Sequence, residues 1–212
     1  RALMSVGGLL KHGFIGIYGL LLVCWAWPVW AAPVGVTVTD SKGAPVAGAV
    51  VFLDAPAAAK VAKPMSGAEM VQRNKAFVPE VLVVTRGTAV LFPNQDTVRH
   101  HVYSFSPVKK FELKLYTGVP AAPVVFDQPG VAVLGCNIHD QMVAWVLVLD
   151  TPYHGTTGPD GRVTLPDTPP GDYSLRIWHQ RLPVGAPAQT QRQRVGDTTS
   201  QVAVVLKGLE AP

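Results

Sequence analysis

Two valine-rich runs and the loop between them decide the fold of this chain: Val131-Ala-Val-Leu-Gly-Cys136-Asn-Ile-His139-Asp-Gln-Met142-Val-Ala-Trp-Val-Leu-Val-Leu149. Val131–Gly135 and Val143–Leu149 have the length and the β-branched content of strands. Similar short apolar runs, separated by turn signals such as Pro159-Asp-Gly161, continue from residue 34 to residue 206. Beyond the N-terminal residues the only helical turn expected lies near Ser66–Arg73. The pattern predicts an all-β sandwich architecture.

The loop between these runs carries three soft or borderline metal donors. Cys136, His139 and Met142 offer a thiolate, an imidazole and a thioether at spacings of three and three. A short loop after a strand can turn all three towards one point. Two adjacent histidines, His100 and His101, offer a second imidazole. A thiolate, two imidazoles and a long axial thioether form the ligand set of a blue-copper site.

Three segments, in order along the chain, resemble motifs of the small blue copper proteins, the cupredoxins of amicyanin and plastocyanin type. They are Val90-Leu-Phe92-Pro-Asn94-Gln-Asp96-Thr-Val-Arg-His100-His101-Val102, Phe126-Asp-Gln-Pro-Gly130 and Cys136-Asn-Ile-His139-Asp-Gln-Met142. The match spans roughly residues 76–149. More loosely, this module resembles exported cupredoxin-like proteins associated with methylamine utilisation. The resemblance implies a Greek-key β-sandwich of cupredoxin type.

The resemblance also implies a role for each donor. His100 and His139 would be the imidazole ligands, Cys136 the thiolate and Met142 the long axial ligand of one mononuclear type I copper ion. The protein would then perform one-electron transfer and would not be an enzyme. The sequence departs from the family pattern at His101, where an Asn or Thr often links the two copper loops. His101 could make this link or compete to be the ligand, although the spacing of the motif favours His100.

The flanking segments resemble a second family. Gly35–Gly43 and Pro45–Phe52 are similar to the opening hairpin of the carboxypeptidase regulatory-like (transthyretin-like) sandwich, whose continuation is found only at Thr157–Val163 and Pro170–Leu175. We therefore expect the central module to be inserted into this second small β-sandwich or to pack on it. The predicted organisation is a signal peptide at 1–32, the first part of the transthyretin-like sandwich at 33–62, the cupredoxin domain at 63–150 and the remainder of the sandwich at 151–212.

Residues 1–32 have the pattern of a secretion signal, with a weakly basic start, an apolar run and small residues before the expected cleavage site. The apolar run is short for a membrane span and contains Pro28. A periplasmic or secreted protein, with no stable membrane span after cleavage, is therefore expected. Cys24 leaves with the signal, and the one remaining cysteine, Cys136, cannot form an internal disulfide. This thiol is either buried and inert or occupied by a metal.

The small net charge of the chain argues against nucleic acid as a partner. The chain without residues 1–32 has a net charge of only +2, because Arg1 and Lys11 are lost with the signal. No run of basic residues is interleaved with aromatic residues, so nucleic-acid binding is not expected. An electron carrier requires a redox protein partner, and a c-type cytochrome or a dehydrogenase is the expected one. His154 and His179 lie beside turns and are expected to be solvated.

Three other functions stay open from the sequence. A copper-binding module for copper delivery, storage or sensing would use the same donors. A zinc-filled or empty site beside an adhesion or assembly domain is another alternative, although Met142 is a poor zinc ligand. A copper oxidase or reductase would need a further copper site, and the chain has too few histidines to build one.

Overall fold

The computed structural model describes residues 31–211, without the side chains of residues 166 and 167. The described residues form seventeen strands and one short helix. In chain order these are β1 Ala32–Thr39, β2 Val50–Asp54, α1 Pro56–Val61, β3 Ala68–Glu69, β4 Val71–Arg73, β5 Ala76–Val78, β6 Val81–Thr85, β7 Thr88–Leu91, β8 His100–Ser104, β9 Phe111–Tyr116, β10 Val124–Phe126, β11 Gly130–Gly135, β12 Val143–Leu149, β13 His154–Thr156, β14 Arg162–Thr168, β15 Gly171–Trp178, β16 Gln189–Val195 and β17 Ser200–Val205.

Two sheets are built from the two ends of the described chain. One has the strand order β14-β1-β17 and the other β13-β2-β15-β16. β13 pairs with β2 in antiparallel register, with His154 opposite Phe52, although about a hundred residues separate these strands along the chain. Buried aliphatic side chains from both sheets, such as Val36, Leu53 and Leu175, belong to one core cluster. The two sheets therefore form one sandwich, which we call the terminal sandwich.

The segment between β2 and β13 builds the other sheets. A five-stranded sheet has the order β6-β12-β11-β8-β9, and a three-stranded sheet has the order β10-β7-β3. A second core cluster, which includes Phe92, Phe126 and Leu134, is formed by side chains of these strands and their loops. The prediction of an all-β fold with two sandwiches is confirmed by this architecture. The domain boundaries at 62/63 and 150/151 stay predictions.

Strand β12 contributes side chains to both core clusters. Val146 and Val148 belong to the core cluster of the segment between β2 and β13, whereas Leu147 and Leu149 belong to the cluster of the terminal sandwich. Successive side chains of a strand point to opposite faces of the sheet, so the sheet is covered on both sides. This burial explains why the run from residue 143 to residue 149 is continuously apolar and does not alternate with polar residues.

The expected helical turn at Ser66–Arg73 is wrong. These residues contain β3 and β4, and the buried side chains of Ala68, Met70 and Gln72 follow the period of two that a strand imposes. The helix lies earlier, at Pro56–Val61, where a proline occupies the first turn. The expectation of a solvated His179 is also wrong, because its side chain is buried.

The predicted signal peptide lies outside the described residues except for its last two residues. The second of these, Ala32, is the buried first residue of β1 and pairs with Thr168. No helix in the described part of the chain is long and apolar enough to cross a membrane.

Candidate metal centre

The loop before β8 is held by the buried side chain of Asn94. Its Nδ2 donates hydrogen bonds to the carbonyl oxygens of Val98, at 2.9 Å, and Tyr116, at 2.8 Å. Its Oδ1 accepts a hydrogen bond of 2.9 Å from the backbone N–H of Asp96. The bonds to Val98 and Asp96 close the loop on itself, and the bond to Tyr116 connects it to strand β9. The loop therefore delivers its last residue, His100, to a defined place at the start of β8.

His100 is fully buried, and both of its ring nitrogens have neighbours. Its Nε2 lies 2.8 Å from Oδ2 of Asp96, and its Nδ1 lies 3.9 Å from the sulfur of Cys136. An ionised carboxylate can only accept a hydrogen bond, so Nε2 carries the proton of the neutral ring. The lone pair of Nδ1 then faces the cysteine sulfur.

Asp96 stays ionised in this position. Burial acts to raise the pKa of its carboxyl group, but hydrogen bonds from the backbone of Lys75, from His100 and from the backbone of Asn74 lower it by more. The net result is a pKa below the ordinary value for aspartate. A charged acceptor therefore faces Nε2 of the His100 ring at neutral pH.

Cys136 follows the last residue of β11 and is buried. Gly135, directly before it, pairs with Tyr103 of β8. A Cβ atom on Gly135 would lie 2.8 Å from the ring of Tyr103, so only glycine leaves room for this ring. The backbone before the cysteine is thus packed against β8, the strand that begins with His100. This packing brings the thiol beside the first histidine.

His139 and Met142 lie in the loop that joins β11 to β12. The N–H of Met142 donates a hydrogen bond of 2.9 Å to the carbonyl oxygen of His139, which makes this loop a tight turn. Met142 is buried in the same core cluster as Cys136. The His139 ring is partly exposed, yet its Nδ1 is buried and has no hydrogen-bond partner. Its centroid lies 5.0 Å from that of His100.

Three of the four ligands predicted from the sequence are thus brought together. The ligand atoms of His100, Cys136 and His139 all lie within 4.8 Å of one another. No second group of three such residues occurs among the described side chains of residues 31–211. Met142, the fourth predicted ligand, is buried in the same core cluster as Cys136. A thiolate, an imidazole with a lone pair facing it, and a second imidazole with an unpartnered buried nitrogen are donors that fit a copper ion.

His101 lies outside this group and connects three structural elements. Its Nδ1 contacts Oδ1 of Asn137, the residue that follows Cys136. Its Nε2 lies 2.9 Å from Oε1 of Glu112 on β9, in ion-pair distance but without hydrogen-bond geometry. Of the two roles that the sequence left open for His101, the structure shows the link between the two loops.

Comparison with known proteins gives only distant structural likenesses. No protein-family model and no curated protein matches the chain. Similar solved structures include a purple cupredoxin from Nitrosopumilus maritimus, at 22% identity and a TM-score of 0.36, covering 39% of this chain and 99% of that one.

A reduced mutant of amicyanin has 20% identity and a TM-score of 0.36, covering 47% and 98% of the two chains. A Cu-containing nitrite reductase from Thermus scotoductus SA-01 has 19% identity and a TM-score of 0.37, covering 54% of this chain and 28% of that one. At these TM-scores the likenesses do not establish a family for the chain.

Sequence reasoning missed the residues that hold the ligands in place. Asn94 and Asp96 were visible as part of the motif before His100, but their hydrogen-bond partners Tyr116 and Asn74 lie on other strands and turns. Their roles could have been suspected, because short polar side chains in a loop commonly bond to nearby backbone groups. Tyr103 gave no such signal, since its contact with Gly135 depends on strand register alone.

Proposed function

We propose that the chain binds one type I copper ion through Nδ1 of His100, the thiolate of Cys136, Nδ1 of His139 and the thioether of Met142, and that it carries single electrons. The observation that supports this proposal is the convergence of the first three ligand atoms within 4.8 Å. When bound, copper would supply a reversible change of oxidation state by one electron.

The donor set favours copper over zinc. Structural zinc sites use thiolates, imidazoles and carboxylates, whereas a thioether is a ligand that Cu(I) prefers. Met142 is almost fully buried in the same core cluster as Cys136. An apolar side chain without sulfur could fill that space equally well, so the thioether is consistent with a role as a copper ligand. Apolar burial also keeps water from the sulfur, which supports a tuned redox potential.

The burial of the donors favours a carrier over an enzyme. His100, Cys136 and Met142 expose 3% of their surface or less. His139 is the partly exposed member of the set, so its ring offers a route between the centre and solvent. A substrate would have no free side of the ion to bind, whereas an electron can pass through the imidazole.

The surface beside His139 suits contact with another protein. Ile138, its neighbour in the loop, is 48% exposed, and Val143 at the start of β12 is 40% exposed. Exposed apolar side chains near a redox centre favour a short-lived protein contact. We propose a periplasmic or secreted location and a redox protein partner, a c-type cytochrome or a dehydrogenase.

Copper titration tests this function. We expect one equivalent of Cu(II) to produce an intense blue thiolate-to-copper absorption and the EPR spectrum of a type I centre. Cys136→Ser should abolish the blue band, whereas the exposed control Ser41→Ala should leave it unchanged. Voltammetry should then show a reversible one-electron couple. Tight binding of Cu(I) by a wild-type protein that stays colourless with Cu(II) would contradict the carrier and favour copper delivery.

A further inference from the structure

Asp96 is held by a turn that is distant from it in sequence. Its Oδ1 accepts a hydrogen bond of 2.7 Å from the backbone N–H of Asn74, and its Oδ2 accepts one of 2.9 Å from that of Lys75. Both residues lie between β4 and β5 and adopt left-handed backbone angles, with φ of 54° and 56°. Consecutive N–H groups in such a turn form a concave site for an anion.

The same carboxylate holds the ring of His100. Oδ2 of Asp96 lies 2.8 Å from Nε2 of His100, which is opposite the nitrogen that faces Cys136. The two backbone donors fix the carboxylate independently of the histidine. The position of the His100 ring is therefore set by the β4–β5 turn through one intermediate side chain.

We propose that Asp96 is a positioning residue for the metal centre: it holds the proton of His100 on Nε2, directs the Nδ1 lone pair to the metal and adds a negative charge behind that ligand. This inference rests on the copper function proposed above. A histidine ligand generally donates its other N–H to an acceptor, and a charged acceptor makes the ring a stronger donor. Cu(II) has the higher charge, so the carboxylate favours Cu(II) over Cu(I).

The orientation of the ring can be tested in the metal-free protein. Nitrogen-15 NMR of the full chain should show His100 as the Nε2–H tautomer, with this proton protected from exchange by the hydrogen bond to Asp96. In Asp96→Asn the tautomers should mix and the protection should be lost. A wild-type His100 that carries its proton on Nδ1 would overturn the proposal. The wild-type part of this measurement needs neither copper nor a folded variant.

Measurements of copper affinity test the effect of the negative charge of Asp96. Asp140→Asn is a matched control, because Asp140 is an exposed neighbour of His139 and its substitution removes the same charge near the centre. We expect Asp96→Asn to weaken Cu(II) binding by about 10- to 100-fold and Cu(I) binding by less. Asp140→Asn should change Cu(II) affinity by less than about threefold, since solvent screens an exposed charge.

Two outcomes separate this proposal from the proposed function. If the wild type is blue and Asp96→Asn binds both oxidation states as tightly as Asp140→Asn does, the role of Asp96 is wrong and the carrier function stands. If the wild type binds copper without a blue band, the carrier function is wrong. The tautomer of His100 in the metal-free protein then decides the role of Asp96 alone.

Discussion

Substitution of Asn94 by alanine should weaken both the fold and the metal centre. The side chain is 4% exposed and makes the three hydrogen bonds that hold the loop before His100. Alanine cannot make any of them. The carbonyls of Val98 and Tyr116 and the N–H of Asp96 would lose their partners.

The expected magnitude follows from these three bonds. A typical intramolecular hydrogen bond contributes about 1 kcal/mol net, so Asn94→Ala should lower the free energy of unfolding by about 3 kcal/mol. The loop would also be less ordered in the folded state. Copper binding would then have to order it, so the affinity for Cu(II) should fall as well.

Urea unfolding of the metal-free protein measures the first effect, and copper titration measures the second. Gln95→Ala is the matched control, because Gln95 is the adjacent residue and its side-chain Oε1 accepts one exposed hydrogen bond, from Nε of Arg73. This control should cost less than about 0.5 kcal/mol. If Asn94→Ala costs no more than the control and leaves copper affinity unchanged, the loop is not held in the way described.

Three further substitutions probe the rest of the chain. Leu175→Ala, in the core of the terminal sandwich, should cost about 2–5 kcal/mol in urea unfolding but should leave the copper spectrum unchanged; an altered spectrum would contradict the separation of the two cores. Gly161→Ala should cost more than about 1 kcal/mol, because φ is +72° and the new Cβ would lie 2.4 Å from the carbonyl oxygen of Val38; an unchanged melting temperature would refute this. Burial holds the pKa of His179 below its ordinary value, so the unfolded chain binds a proton that the folded chain does not. Stability should therefore fall as the pH drops from about 6.5 through the folded pKa; unfolding midpoints measured across this range should lose part of that slope in His179→Gln.

The donor residues could be predicted because most of them lie close together in the sequence. Cys136, His139 and Met142 lie within seven residues, and a loop that short between two strands leaves few ways to place them. The all-β fold was likewise readable from short valine-rich runs. The motif spacing already favoured His100 over His101, and the structure adds the contacts that separate their roles: Nδ1 of His100 faces Cys136, whereas Nδ1 of His101 contacts Asn137.

The parts that could not be predicted depend on contacts between distant segments. Nothing near Asp96 in sequence indicates that the turn at residues 74 and 75 binds its carboxylate. The strands at residues 68–73 were read as a helical turn because they are too short to show a period by themselves, and pairing with β7 and β5 determines them. His179 was expected in solvent, but its Nε2 donates to the carbonyl oxygen of Ala47, in the segment between β1 and β2.

X-ray absorption of the copper-loaded protein tests the central claim most directly, because it reports the atoms bound to the ion. With copper in either oxidation state, we expect one short copper–sulfur bond from Cys136 and two nitrogen ligands from His100 and His139, with little change on reduction. Cys136→Ser should lose the short sulfur bond. A wild-type spectrum with only nitrogen and oxygen neighbours would contradict a centre in which these three side chains bind one ion.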